Sequence, residues 1–354
     1  MSQFRLLPLF LGCGALLCWS ASAAAQSPAL ALDRLQPAPA GDPFFGVESA
    51  SPGAAGRLSA GLLASYARDP LVYKLGDTET SVIRYQAIAH VGIAWEPTSR
   101  WKLDVALPMT FAQGGRQMTA GSYALSAPDS QSVGQTRLGA RVVLSPQSGA
   151  IPAVALSMRV FLPRATSDDF AGSESLRYTP AITLGGAYPR WLWSASLSRL
   201  VRSESDSHAD LAGSEVGLAG AVALRSGPWQ IGPEWWAATV ADGRTHAFRR
   251  ATTSTEVLLG ARYAFGPLTF MLAGGPGLAR GVGTPSYRLV AGVSFSTEAP
   301  ASSTTASSHE SSFDDLVHPE QPARSVARTS AEPRATMVVV DRDADGVVDL
   351  EDGC

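Results

Sequence analysis

The sequence is poor in the residues that cross-link secreted proteins, attract nucleic acid or cross a membrane as helices. Its three cysteines stand at positions 13, 18 and 354, so one cysteine and no disulfide framework follow the first 25 residues. Charged residues make up 17% of the chain and the formal net charge is −3, so nucleic acid is not an expected partner. After residue 25 no run of 18 apolar residues occurs, which argues against helical membrane spans.

The first 25 residues have the three parts of a secretory signal peptide. Arg5 supplies a positive charge, Leu6–Trp19 is an apolar run, and Ser20–Ala25 is rich in small residues. The apolar run is shorter than the roughly 20 residues of a membrane-spanning helix. We therefore predict a signal peptide over residues 1–25. A lipoprotein anchored through one of the two early cysteines is the alternative, but neither cysteine follows a good lipobox.

Apolar residues alternate with small or polar ones from Arg57 to Thr297. In Tyr85–Trp95, for example, the odd-numbered positions are apolar, whereas the even-numbered ones include Gln86 and His90. A period of two predicts strands with one apolar face. We expect twelve strands, at Leu58–Tyr66, Tyr85–Trp95, Leu103–Phe111, Leu138–Leu144, Val154–Leu162, Ile182–Tyr188, Trp191–Leu197, Val216–Leu224, Trp229–Thr239, Val257–Phe265, Leu268–Leu272 and Tyr287–Phe295.

The connections between these strands fall into two alternating classes. Short ones lie at 96–100, 146–150, 189–190, 226–228 and 266–267, and longer polar ones lie at 68–80, 113–133, 164–176, 202–210, 242–250 and 280–284. Short turns at one end and long loops at the other are typical of bacterial outer-membrane barrels. We predict an all-β fold, a transmembrane antiparallel up-and-down β-barrel of about 12 strands, over residues 57–298. Residues 26–56 are expected to form a periplasmic N-terminal segment.

Aromatic residues gather beside the short turns, where they would form a girdle at one membrane interface. A soluble β-sandwich, the alternative fold, would instead place its aromatics at mid-strand, in the core. The predicted interface residues are Trp95, Trp101, Tyr188, Trp191, Trp229, Tyr263 and Phe265.

The face opposite the apolar one carries charged residues separated by many Gly, Ala and Ser. In a barrel these residues would line the lumen, where they either border a water-filled pore or pair with one another and close it. No catalytic constellation is found, so an enzyme is not expected, and the two hypotheses are a structural anchor and a passive pore (a porin) for small solutes. The predicted lumen-lining residues are Asp104, Arg141, Arg159, Glu215, Glu234, Glu256, Arg262 and Arg288.

The C-terminal part changes composition twice. Residues 299–336 are rich in Ser, Ala and Pro without periodicity, which predicts a flexible linker. Residues 337–354 contain carboxylates at positions 1, 3, 5, 9 and 12 of a twelve-residue loop with Gly346 at position 6, the pattern of a calcium loop. The predicted Ca²⁺ ligands are Asp341, Asp343, Asp345, the carbonyl of Val347, Asp349 and Asp352.

Two stretches, Pro37–Ser49 before the barrel and Asp341–Cys354 at the end, together with Gly134–Arg141, resemble the OmpA-related outer-membrane proteins of myxobacteria and their relatives. That resemblance implies a barrel followed by thrombospondin type 3 calcium repeats and a peptidoglycan-binding domain. The sequence departs from the pattern, because it ends at Cys354 without a second repeat or that domain. The resemblance implies an envelope-anchoring role, a periplasmic C-terminus, and periplasmic or peptidoglycan-associated partners.

Overall fold

A computed structural model describes residues 31–297 except 76–77, 121–122, 126, 165–169, 174, 203–212, 242–246 and 250. The predicted signal peptide, linker and calcium loop lie outside this part of the chain. Within it, no helix is long and apolar enough to cross a membrane.

The described residues form fifteen strands joined by turns and loops. They are β1 (Leu58–Leu75), β2 (Thr78–Trp95), β3 (Trp101–Gly115), β4 (Met118–Ala120), β5 (Tyr123–Leu125), β6 (Ser132–Val133), β7 (Arg137–Ser145), β8 (Ala153–Phe161), β9 (Arg177–Ala187), β10 (Trp191–Arg202), β11 (Glu215–Ser226), β12 (Trp229–Val240), β13 (Thr253–Phe265), β14 (Leu268–Arg280) and β15 (Tyr287–Ser296).

Twelve of these strands form one closed antiparallel barrel. Each pairs with its neighbour along the chain, β3 pairs with β7, and β1 closes the ring by pairing with both β2 and β15. The short β6 adds to β3, and β4 and β5 form a separate hairpin. Closure pairs the backbone groups that lipid could not hydrate. The prediction of an all-β, twelve-stranded up-and-down barrel is confirmed.

The strands extend beyond the predicted segments at the long-loop end. The connection predicted at 68–80 is largely strand, because β1 and β2 stay paired up to Leu75 and Thr78. Irregular register follows Arg68 and Leu71 in this extension. A strand needs an apolar outer face only where it contacts lipid. Alternation therefore stops there, while backbone pairing continues.

Two rims can be defined from the connections. The short-turn rim contains the turns after β2, β7, β9, β11 and β13, and the loop rim contains the connections after β1, β3, β8, β10, β12 and β14. Leu58, where β1 begins, and Ser296, where β15 ends, both lie at the short-turn rim. The chain therefore enters and leaves the barrel wall at the same rim.

The outer wall between the rims is apolar. Leu62, Ile93, Leu218 and Leu272 expose 47%, 52%, 51% and 65% of their surface, and their neighbours on the same face are also apolar. A continuous exposed apolar band of this kind matches a lipid-facing surface.

All seven predicted interface aromatics lie at or beside the short-turn rim. Tyr188 stacks on Trp191 with ring centroids 4.6 Å apart, and Trp229 lies 4.8 Å from Tyr263. The sequence did not predict the second group, Tyr66, Tyr85 and Tyr287, which contact one another toward the loop rim. Aromatic side chains thus lie at both edges of the apolar band.

Candidate functional site: the occupied lumen

The lumen of the barrel is filled by the chain's own residues 31–56, named here the luminal segment. Near the loop rim the amide of Leu32 donates to the carbonyl of Phe170 over 3.1 Å. At the other end, the amide of Gly53 donates to the carbonyl of Ser99 in the turn after β2, over 2.9 Å. The sequence prediction placed residues 26–56 in the periplasm, whereas the structure places residues 31–50 inside the barrel. The segment runs from the loop rim to the short-turn rim.

A tight reversal in the luminal segment lies toward the short-turn rim. The amide of Asp42 donates to the carbonyl of Pro39 over 3.0 Å, and that of Ala38 to Phe45 over 2.8 Å. Gly41 has φ +80°, and a side chain there would meet the hydroxyl of Ser59 in β1. Glycine suits both the left-handed backbone and the close contact. Because of this reversal, the segment passes more than once through the part of the lumen next to the short-turn rim.

Apolar side chains of the luminal segment are buried against small and aliphatic residues of the wall. Phe44 and Val47, 4% and 1% exposed, pack on Leu192, Ala221 and Ala223. Small inward residues on the strands therefore leave room for the segment. This burial also explains why the segment does not lie in water, because two phenylalanines and a valine gain free energy inside the barrel.

The wall contributes two further apolar clusters around the segment. Leu35 and Phe45 pack with Leu63, Leu258 and Val290, and Ala50 packs near the short-turn rim with three residues of β7 and β8, namely Val143, Ala153 and Ala155. The segment thus contacts strands all around the ring.

Asp42 is the most strongly paired charge of the luminal segment. Its carboxylate accepts hydrogen bonds from Arg141 at 2.5 Å and 3.1 Å and from Lys102 at 2.6 Å. The three side chains are only 2–5% exposed. A buried carboxylate between two cations is balanced only while all three stay together. Asp42 therefore ties the reversal of the segment to β3 and β7.

Three further ion pairs join the luminal segment to the strands. Glu48 accepts from Arg159 at 2.6 Å, and Arg34 donates to both oxygens of Glu215 at 2.8 Å and 2.7 Å. The third pair is that of Asp33 with Arg288, at 2.9 Å. The other carboxylate oxygen of Asp33 lies 3.1 Å from Nε2 of His90.

Glu234 of β12 holds the luminal segment without a cation. Its carboxylate accepts from the backbone amides of Phe45 at 2.7 Å and Gly46 at 3.0 Å. The guanidinium of Arg262 lies over the ring of Phe45, 5.7 Å from its centroid. Backbone amides and a cation–π contact therefore replace the salt bridge at this point.

All eight residues predicted to line the lumen lie inside the barrel, and six of them contact the luminal segment. Arg141, Arg159, Glu215, Glu234, Arg262 and Arg288 do so. The other two pair with strand residues, Asp104 with Arg137 at 2.8 Å and Glu256 with Arg288 at 2.8 Å. Of the two alternatives posed by the sequence, pairing and closure describe this structure. Most partners come from the luminal segment and not from the opposite wall.

The sequence predicts no role for Lys102 and Arg137 of the wall or for the charged residues of the luminal segment, whereas alternation does place His90 on the inward face. Lys102 stands beside Trp101 at the start of a strand, where the neighbouring residues do not mark it as inward-facing. A signal for the segment was present in Pro37–Ser49, where two phenylalanines, a valine and two carboxylates stand together. A segment of that apolar content is unusual for a solvated connection.

Glu96 fixes the end of the luminal segment at the short-turn rim. It accepts from the amide of Ala54 at 2.7 Å, from Arg57 at 2.7 Å, and lies 3.0 Å from the Nζ of Lys102. Burial alone would raise the pKa of Glu96, but Arg57 and Lys102 outweigh it and hold this pKa below its usual value. The carboxylate is therefore charged, and it links the segment to the turn after β2.

A cavity of about 140 Å³, lined by charged, hydroxyl and apolar side chains, remains beside the luminal segment. It extends from Ala31 and Arg202, toward the loop rim, to Gly46 deeper in the lumen. Thr179, Ser196 and Ser254 are among the residues that line it. A second space of about 220 Å³ lies near the short-turn rim, beside Asp42 and Arg262. The luminal segment is therefore bordered by free space toward both rims.

No family model matches the sequence, and no curated protein matches it. The closed barrel, its apolar band and its filled lumen define the class: the chain has the fold of an outer-membrane β-barrel. It is similar to a solved structure, the COG4313 outer membrane channel from Pseudomonas putida F1, with TM-score 0.53 and 14% identity over 70% of this chain and 97% of that one. LpxR from Salmonella typhimurium is less similar, with TM-score 0.40 and 12% identity over 66% and 99%.

Proposed function

We propose that the protein is a gated outer-membrane channel for small hydrophilic solutes, with the luminal segment as its gate. The proposal rests on one observation. The charged residues of the strands pair mainly with the luminal segment, which is joined to the barrel wall only at its C-terminal end, near Arg57. A barrel closed permanently by its own strands would pair these charges across the wall. The fold shared with an outer-membrane channel of Pseudomonas putida supports the same conclusion.

The class of solute follows from the surfaces along the path. The cavity beside the luminal segment is lined by hydroxyl groups and by Arg34, Arg159 and Glu215. These groups offer hydrogen bonds and charge to a hydrophilic solute, and they stand among apolar residues such as Leu200 and Trp236. When the segment moves, its charged partners on the strands are exposed to water, which extends the polar surface to the short-turn rim.

A disulfide that locks the luminal segment to the wall tests this proposal. A Cβ atom at Gly61 of β1 would lie 3.7 Å from the Cβ of Ala40, within the range of about 3.5–4.5 Å that a disulfide needs. In a Cys354→Ser background we expect oxidised Ala40→Cys/Gly61→Cys to lose the channel openings of the parent protein in a planar bilayer. Reduction should restore them.

The two single-cysteine variants are the matched controls, and both should behave like the parent under oxidation and reduction. Mass measurement after alkylation confirms that the disulfide has formed. Equal conductance of the locked and reduced forms would mean that solutes do not pass where the segment lies, and it would remove the segment as a gate.

A second candidate, envelope anchoring, is favoured by the position of the chain ends of the barrel. β15 ends at Ser296, at the short-turn rim, and in outer-membrane barrels short turns face the periplasm. The linker over 299–336 would then carry the calcium motif into the periplasm. Peptidoglycan-associated components are the expected partners.

Calcium binding by the tail can be tested on the full mature chain. We expect Asp341→Asn/Asp343→Asn/Asp345→Asn to lose the heat of Ca²⁺ binding in calorimetry, because three of the hard oxygen ligands lose their charge. A triple change of Asp129, Asp206 and Asp210, all outside the motif, is the control. Unchanged binding in the motif variant would refute the ligand assignment.

A further inference from the structure

Arg199 is a charged residue on the lipid-facing side of the barrel. It lies on β10, on the same face as Trp191, Ala195 and Leu197, and its side chain is exposed. Its ladder partner in β11 is Val216. In β9 the register on either side, Ser198 with Ala181 and Val201 with Tyr178, places Pro180 opposite Arg199. Other outward-facing arginines, such as Arg68 and Arg280, lie near the loop rim. Arg199 is therefore set apart within an apolar surface.

Arg199 forms no ion pair within the described part of the chain. The residues opposite Arg199 on both neighbouring strands are apolar. The residues opposite Leu197, the next outward-facing residue of β10 toward the short-turn rim, are apolar too. A cation on a lipid-facing wall without a counter-charge is costly unless it reaches the interface or an anion. The structure thus leaves the charge of this residue to be balanced from the membrane.

The height of Arg199 places it in reach of lipid head groups. It stands eight positions beyond Trp191, which at about 3.3 Å per residue and a strand tilt of about 40° is roughly 20 Å from the short-turn rim. The apolar band of an outer-membrane barrel is about 25 Å tall. A long arginine side chain can therefore extend from this point to the interface on the loop side.

A groove in the wall leads away from Arg199. It has a volume of about 620 Å³ and is lined mainly by apolar side chains. Ala140, Met158 and Pro180 form its floor in one cross-strand row with Arg199. Bulkier residues, including Trp101 and Leu156, border the groove on the short-turn side. Its shape and surface suit an extended hydrocarbon chain.

We propose that this groove is a binding site for one anionic membrane lipid, with an acyl chain along the groove and its phosphate on Arg199. The groove supplies apolar contact to the chain, and the guanidinium supplies charge-assisted hydrogen bonds to phosphate oxygens. The site is separate from the lumen, and it does not depend on whether the lumen conducts.

Native mass spectrometry of the full mature chain, released from detergent with added lipid, tests the proposal. We expect phosphatidylglycerol to bind roughly tenfold more tightly than phosphatidylcholine with the same acyl chains, and Arg199→Gln to abolish this preference. Arg199→Lys should keep part of it, because lysine also binds phosphate as a point charge. Arg190→Gln, an exposed change in the turn after β9, is the matched control and should keep the full preference.

The apolar part of the site has its own test. Ala140→Phe fills the floor of the groove and should weaken the binding of both lipids equally. Arg199→Gln should weaken phosphatidylglycerol more than phosphatidylcholine, because the choline cation already balances the phosphate of the latter. Equal binding of the two lipids by the parent protein, or an unchanged preference in Arg199→Gln, would overturn the proposal. Detection of a dimer that carries no bound lipid would also overturn the proposal, since a second copy of the chain would then cover the groove.

Discussion

Replacing Asp42 with alanine is expected to lower the free energy of unfolding by about 3–5 kcal/mol, the usual cost of removing one partner from a buried ion pair. Arg141, 5% exposed, would lose its carboxylate partner, while Lys102, 3% exposed, would keep only Glu96 at 3.0 Å. Two like charges would then repel each other inside a barrel that contains little water. The measurement is urea unfolding of the refolded barrel followed by tryptophan fluorescence.

An exposed ion pair supplies the control for this prediction. Lys74 and Glu79 lie 3.3 Å apart with side chains 57% and 49% exposed, so Glu79→Gln should change stability by less than about 1 kcal/mol. The combined change Asp42→Ala/Arg141→Met should recover part of the loss, because the cation left without its carboxylate is removed. A cost for Asp42→Ala no larger than that of Glu79→Gln would show that water reaches this cluster.

Deleting residues 31–50 is expected to change a barrel with rare openings into one with a steady open-channel current. The deletion removes Asp33, Arg34, Asp42 and Glu48, which form the ion pairs across the lumen. It also removes the buried phenylalanines of the reversal. The charges left on the strands then face water, and their hydration offsets the loss of their ion-pair partners. Conductance in a planar bilayer measures the result.

The deletion variant must be shown to form a barrel before its current is interpreted. Its circular dichroism should match that of the parent, and it should still unfold cooperatively in detergent, at lower stability because the packing and ion pairs of the segment are lost. A matched variant that deletes an equal number of residues from the linker at 299–336 controls for chain length. A folded deletion variant that stays silent would contradict the gate and favour the anchoring role.

The barrel could be predicted from sequence because lipid imposes a pattern on each strand separately. Residues such as Leu62, Ile93 and Leu218 face outward, so each strand shows a period of two without reference to its neighbours. The parts of β1 and β2 nearest the loop rim lack this pattern, so the sequence predicts a loop there. Their structure depends on pairing between strands, which single positions do not reveal.

The contents of the lumen could be predicted only in part. Inward charges such as Glu215 and Arg288 could be recognised from alternation, but their partners could not. Arg34 lies 181 positions from Glu215, and Asp33 lies 255 positions from Arg288. The luminal segment itself has no regular period, because proline, glycine and close packing shape it. Its position before the barrel favours a periplasmic location. Its two phenylalanines are instead buried inside the barrel.

These long separations also determine the order of assembly. The bonds from Asp33 to Arg288 and from Arg34 to Val282 join the start of the described chain to its last strands. Contacts of high sequence separation form late, since the entropy of closing a long loop must be met first. The segment near the amino terminus is synthesised first but can be fixed only after β15 is in place. The filling of the lumen by the segment is therefore expected to be complete only after the ring has closed.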